Sequence, residues 1–388
     1  MTEFPSRRPT WAEVDLQNLA FNFRSVKSFV GPDVKYMAVV KADAYGHGAV
    51  ECAKRLETEG VDWFGVALPE EGVELRKAGI RKSILCLGGF WDEQEALGLN
   101  YALTPVVFQI DKAVQLNRVA SDRGTSIAIH VKVDTGMGRL GVRHDQVSDF
   151  AERLSRLDNL RVEGLMTHFA TADDLSQSDF TNLQIWRFNE AVAAFSEKGF
   201  HPAYLDLANS PAAIAHPASI GNMVRLGGVL YGLGDDVLPQ GIDKPALRPV
   251  LSLGTRIAQV KKIERGDSIG YGRTFTATSD SVIATVPIGY EDGFRRSLSN
   301  IGRAIVRGSY VPVVGRVSMD WTTLDVSSVA GVQAGDEVTL IGEQNGLRIT
   351  AEEIASLLGT ISYEVTCGIA HRVTRSYVDE ISESEEIT

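Results

Sequence analysis

Cysteine is scarce in this chain of 388 residues, and its three cysteines, Cys52, Cys86 and Cys367, lie far apart. Such scatter offers neither a disulfide framework nor metal-ligand spacing, so each reads as a small buried hydrophobe, no metal is expected, and a reduced cytoplasm is the expected compartment. Long apolar runs are absent too. No stretch reaches the roughly 18 residues that a membrane span requires, and residues 1–8 carry no apolar segment of the signal-peptide kind. Positive charge is not in excess: a formal net charge of -11 argues against nucleic-acid partners and for plain solubility. What is present is an ordinary globular composition, 44% hydrophobic and 23% charged. The length exceeds one core and implies a large domain plus a smaller one.

The most informative stretch begins with the apolar run Tyr36-Met37-Ala38-Val39-Val40, which ends at Lys41 and is broken by Gly46 and Gly48. A short continuous run of this kind reads as a strand buried on both faces, and residues 49–56 read as the next helix. A lysine delivered at a strand end and partly desolvated has an amine available for Schiff-base chemistry with an aldehyde. The bland alternative is a lysine that snorkels outward as a solubilising charge.

From about residue 15 to 240, short apolar runs alternate with amphipathic segments. Leu16, Leu19, Phe23, Val26 and Val30 recur at helical spacing, with Asp15 as N-cap and Gly31-Pro32 as the stop. Strands are predicted at 38–40, 64–68, 84–87, 103–107, 127–133, 162–169, 204–207 and 223–226. Eight parallel strands separated by helices imply a (β/α)8 TIM-type barrel, whose catalytic residues sit at the carboxyl ends of the strands. Beyond residue 245 the texture changes to a mostly-β domain, with strands at 256–263, 282–287, 304–306, 311–314 and 337–341. A helix is predicted near 350–358, Thr350 and Glu353 forming a capping box. The barrel is placed at 10–244. The β domain is placed at 245–388, joined by an N-terminal strand at about 1–14, and the acidic tail 380–388 reads as disordered.

The segment Val39-Val40-Lys41-Ala42-Asp43-Ala44-Tyr45-Gly46-His47-Gly48 closely resembles the cofactor-lysine motif of alanine racemases, enzymes that use pyridoxal 5'-phosphate. The resemblance extends to Tyr363 and so covers nearly the whole chain. It implies that Lys41 is one catalytic base and that Tyr271, in Gly270-Tyr271-Gly272, is the second, supplied by the other subunit of a homodimer with shared active sites. Two bases are what racemisation needs, because a planar carbanion must take a proton on either face. The family's segments also imply cofactor-binding roles for Tyr45, His168, Asn209, Ser210, Gly227, Gly228 and Tyr363, and place Arg225 against the pyridine nitrogen. An arginine there only donates, leaving the ring nitrogen unprotonated and the ring a weaker electron sink. In the Lys132 to Gly141 motif, Arg139 is implied to hold the substrate carboxylate, and Lys132, often carbamylated in the family, to position it. The backbone amide of Met319 would take the second carboxylate oxygen. His168, Asp173, Tyr290, Arg296 and Arg316 match positions along the substrate entrance.

Four residues depart from the family pattern: Asp206 stands in place of a common histidine, Leu226 of proline, Met166 of tyrosine and Ser318 of cysteine. They bear on substrate choice more than on reaction type. The implied activity is interconversion of L- and D-alanine, supplying D-alanine for peptidoglycan. The alternatives are a serine or broad-specificity racemase, a noncatalytic cofactor-binding protein, which would lack the β domain, and a decarboxylase, which would need an acid near the pyridine nitrogen.

Overall fold

The computed structural model describes residues 8–379; the tail 380–388 and the first seven positions of the N-terminal strand region lie outside the described residues. The described residues divide into two compact units, one spanning Leu19–Arg248, the other combining 8–18 with 249–379.

In the first unit the eight barrel strands are Lys35–Val39, Trp63–Val66, Ser83–Cys86, Leu103–Val107, Ile127–Asp134, Leu160–Met166, Tyr204–Asp206 and Met223–Leu226. Each pairs in parallel with the next, and the eighth returns to the first through Met223 opposite Lys35, so the sheet closes. Helices such as Ala49–Thr58, Ile110–Asp122 and Ser178–Glu197 connect the strands. Met37, Trp63, Leu85, Val106, Met166 and Met223 form a buried core cluster. The six come from six of the eight strands, and Tyr204 and His130 of the other two pack against Trp63, as expected where inward and outward positions alternate along each strand.

Polar groups are buried in the same unit. His130 packs between Trp63 and Tyr204, with ring centroids at 5.2 and 5.8 Å, and lies so close to Gly164 that a Cβ there would stand 2.6 Å from its ring. Burial, then the charges of Arg161 and Arg225, push this imidazole down to about 3, so it is neutral.

The first helix, Leu16–Val30, starts as expected: Asp15 accepts a hydrogen bond from the Asn18 amide at 2.8 Å, and Gly31, at φ 116°, stops it. The turn after the first barrel strand differs from expectation. In place of a glycine-made turn, Ala42, Asp43, Ala44 and Tyr45 form one turn of left-handed helix with φ of 52° to 55°. Each such residue costs roughly 1–2 kcal/mol, so the surroundings must hold the turn in place.

In the second unit, Thr10–Asp15 lies between Leu251–Arg256, antiparallel, and Thr374–Val378, parallel. The strand predicted at 256–263 is realised only as Gln259–Ile263; Arg256 instead ends a separate strand, Leu251–Arg256, which was not predicted and joins a different sheet. Between them the Ile257 amide donates to the Asp336 carbonyl and that of Ala258 to Thr285, so the chain changes neighbours there. Thr322–Asp325, Leu347–Ile349 and the short helix Ser362–Cys367 were not predicted. Helix Ala351–Leu358 is capped by Thr350, but Glu353 does not close a capping box, because its carboxylate grips Arg303 at 2.7 and 2.8 Å.

Candidate active site

Lys41 opens the left-handed turn, two residues beyond Val39, and is half-buried. The turn is pinned on several sides. Glu71 accepts from the Ala42 amide at 2.7 Å with one oxygen and from the Ala67 and Leu68 amides with the other, tying together the loops after the first two strands. His47 Nδ1 lies 2.9 and 3.0 Å from the carbonyls of Ala44 and Tyr45. Asp43 caps helix Ala49–Thr58 by accepting from the Ala49 amide. The Tyr231 ring packs on His47 and Tyr45, at 4.6 and 5.1 Å, while its hydroxyl donates to the Val39 carbonyl. Neither Glu71 nor Tyr231 was legible as a site residue, for nothing local distinguishes them from a helix N-terminal acid and a core aromatic.

The loops after the seventh and eighth strands converge on Tyr45. Asn209 caps the short helix Ser210–Ala215 by accepting from the Ala212 amide, and Ser210 Oγ accepts from the Gly227 amide at 2.9 Å. A Cβ on Gly227 would stand 2.6 Å from Tyr45 Oη, so only glycine lets that hydroxyl approach. Gly228 then opens a single 3-10 turn, Gly228–Tyr231. Two hydroxyls and glycine backbone gathered here suit an anionic oxygen cluster such as a phosphate.

Arg225 is 4% exposed and held by several acceptors. Nη1 donates to the Asp206 backbone carbonyl and to Asp206 Oδ1; Nη2 donates to the carbonyls of Thr167 and Leu207 and lies 3.4 Å from His168 Nδ1. Nε takes no part in these bonds. Asp206 is fully buried, and desolvation raises its carboxyl to about 6 against the opposing pull of Arg225. Its Oδ2 has no hydrogen-bond partner among the described residues.

Cationic side chains crowd this mouth. Burial, then Arg225, Lys132, Arg139 and Lys41, hold the His168 imidazole down to about 2, so it is neutral. Burial, then Arg225, Arg139 and Lys41, bring the Lys132 amine down to about 8, so part of it is unprotonated at neutral pH and can act as a nucleophile. Arg139 itself is exposed, on a loop shaped by Asp134, whose Oδ1 accepts from the Gly136 and Gly138 amides at 3.0 Å. Gly141 at φ 140° completes the loop; a Cβ there would lie 2.4 Å from the Asp134 nitrogen. Asp173 is exposed on the loop beyond Phe169, with no hydrogen bond to the others among the described residues. Of the departures, Met166 packs in the barrel core and Leu226 is fully buried.

The second unit carries its own cluster. Tyr271 sits in a 3-10 turn between Gly270 and Gly272, both at positive φ, and is 74% exposed. With Arg316, Ser318, Trp321 and Lys261 it lines a depression of about 400 Å³. The Tyr290 amide donates to the Ser318 carbonyl and that of Glu291 to Met319, so Tyr290 and Met319 lie on adjoining loops. The turn of Arg296 joins them through Ser299, whose Oγ donates to the Arg296 carbonyl and accepts from the Val317 amide. Tyr363 lies in the first turn of helix Ser362–Cys367, and the chain just beyond it, at Ala370, donates to the Asp292 carbonyl.

Two family models match this chain: the alanine racemase N-terminal domain over residues 14–235 and the alanine racemase C-terminal domain over 250–377. The chain belongs to the alanine racemase family. An alanine racemase of Geobacter sulfurreducens is 45% identical over 96% of this chain and 98% of its own length. The solved alanine racemase of Clostridium difficile matches at a TM-score of 0.90 with 40% identity, covering 95% of this chain and 96% of that one. An alanine racemase structure from Bartonella henselae with covalently bound pyridoxal phosphate matches at a TM-score of 0.85 with 27% identity, over 95% and 99% of the two chains.

Proposed function

We propose that this chain interconverts L- and D-alanine using pyridoxal 5'-phosphate, as a homodimer whose active sites are shared. The observation that carries this reading is Lys41 on a rigid strand-end turn whose own Tyr45 hydroxyl meets a glycine position too tight for any Cβ. The residues present fit the cofactor. Tyr45, Ser210 and the Gly228 amide would hold its phosphate with Tyr363 added, Gly227 leaving the backbone open to it, Asn209 would brace that helix, and Arg225 retains Nε for the ring nitrogen, beside His168.

When bound, the cofactor withdraws electrons from the amino acid's Cα and makes its hydrogen acidic. Lys41 Nζ exchanges that proton on one face, and Tyr271 Oη, contributed by the partner, exchanges it on the other. Exposure of 74% at Tyr271 supports a tyrosine offered to a second chain. Arg139 and the Met319 amide receive the substrate carboxylate. Lys132, partly unprotonated, is suited to react with carbon dioxide, and the resulting carbamate would pair with Arg139 where an ammonium repels it. Asp173, Tyr290, Arg296 and Arg316 line the entrance. The product would serve peptidoglycan synthesis in the cytoplasm; among the described residues no helix is long and apolar enough to cross a membrane.

The test incubates the purified protein with single L-amino acids in deuterated water while optical rotation and α-hydrogen exchange are followed. Alanine should lose optical activity and gain deuterium. Inertness toward every amino acid would overturn the reading, whereas racemisation of serine alone would overturn only the substrate.

A further inference from the structure

The carboxylate of Asp292 is fully buried, yet four donors reach it. Its Oδ1 accepts from Arg8 Nη2 at 2.5 Å and from Arg372 Nε at 2.7 Å; its Oδ2 accepts from Arg8 Nη1 at 3.0 Å and from the Gly289 amide at 2.9 Å. Burial works to raise this carboxyl, but the hydrogen bonds from both arginines and the amide outweigh it and hold the group below the usual carboxylate range. Asp292 is therefore a fixed negative charge.

Arg372 does not stop at Asp292. Its Nη2 continues to Asp320 Oδ1 at 2.6 Å, so one planar guanidinium spans a buried carboxylate and a half-exposed one. Asp320 immediately follows Met319. The same two loops are joined along their backbones: the Tyr290 amide donates to Ser318 at 3.0 Å, and the Glu291 amide donates to Met319 at 3.1 Å. At Gly289 a Cβ would stand 2.3 Å from the carbonyl oxygens of both Ser318 and Met319, so the loops touch with no side chain between them. Met319 is thus held through its carbonyl on one side and through its neighbour's carboxylate on the other. Its own amide makes no hydrogen bond among the described residues, and the residue is half-exposed.

We propose that Arg372 is a positioning residue for the substrate carboxylate: by clamping Asp292 to Asp320 it fixes the loop around Met319 so that the Met319 amide stays presented to a carboxylate oxygen. The clamp rests on the role proposed above for that amide. Arg8 supplies an internal control, because it pairs with the same buried carboxylate and makes no hydrogen bond to Asp320. A clamp acting on substrate separates these two arginines; a merely structural salt-bridge cluster does not.

Arg372→Lys keeps the charge but replaces the fork with one ammonium, which cannot reproduce both bonds in one geometry. The holoenzyme should then show a KM for alanine raised by about tenfold or more with kcat within about threefold, the pattern of lost carboxylate binding. Inhibition by acetate, a bare carboxylate, should weaken in step. Asp320→Asn loosens the clamp while leaving the Asp292 cluster intact, and should raise KM with little change in Tm. Arg8→Lys should lower Tm yet leave KM near wild type. Equal KM shifts in the Arg8 and Arg372 variants, or a wild-type KM in Asp320→Asn, would overturn the clamp alone. A wild-type protein inert toward alanine would instead strike down the functional reading beneath it.

Discussion

Gly227→Ala isolates the corner proposed to hold the phosphate from everything else in the site. The added Cβ would sit 2.6 Å from Tyr45 Oη, against the 3.4 Å at which ordinary contact begins, so the hydroxyl must retreat by roughly 0.8 Å. The backbone of Gly227, at φ -112° and ψ -110°, is not in the left-handed region, so steric contact is the effect that φ leaves in play. Tyr45 has little freedom to yield. Its backbone is locked in the left-handed turn at φ 55°, and its ring packs on Tyr231, whose hydroxyl is engaged with the Val39 carbonyl. Overpacking of this kind costs about 1–3 kcal/mol, which in a domain of this size lowers Tm by roughly 2–12 °C. Displacing the hydroxyl proposed to bind the phosphate should also weaken the cofactor by about tenfold, equivalent to about 1.4 kcal/mol. The assay titrates apoprotein with pyridoxal 5'-phosphate and, separately, with pyridoxal, following the absorbance of the bound aldehyde. Loss should be confined to the phosphorylated form. Wild-type affinity for the phosphate ester together with an unchanged Tm would mean that the Gly227–Tyr45 corner is not the phosphate site.

Tyr271→Phe should retain the visible absorbance of the bound cofactor but lose racemisation by about 10²- to 10⁴-fold, the usual worth of a positioned acid–base group, and more severely starting from L-alanine; unchanged turnover would remove Tyr271 from the mechanism. For Asp206, whose folded carboxyl is raised to about 6 from 3.8, the folded chain holds a proton between those pH values that the unfolded chain has released. Stability attributable to this group therefore falls as pH rises across that window. Asp206→Asn should flatten that slope in chemical denaturation measured from pH 4 to 6; a slope identical to wild type would show that Asp206 is not the group titrating there.

Much of the barrel was legible because its strands are short apolar runs bounded by glycine, proline and charge, a pattern set by local sequence. The lysine at the first strand end was legible for the same reason. The left-handed turn was not, since of Ala42, Asp43, Ala44 and Tyr45 only Asp43 is of a type that visits positive φ; it is imposed by Glu71, His47 and Tyr231 packing around it, with Asp43 tied to the Ala49 amide. The break at Ile257 and Ala258 escaped notice because both flanks are strand-like, and only partners from 285 and 336 reveal that the chain changes sheet.

The sequence by itself determined the succession of strands and helices and the lysine at the mouth; residues for a phosphate, a pyridine nitrogen and a carboxylate were pointed to only by resemblance to the family. The succession and the lysine's place follow from neighbours along the chain. Tertiary structure alone decided which of these groups meet and in what charge state: Arg225 against Asp206, burial and then four cations keeping His168 neutral, and Arg8 and Arg372 closing on Asp292 across 284 and 80 positions. Burial and pairing set those charges, and both depend on residues that the chain brings together only by folding.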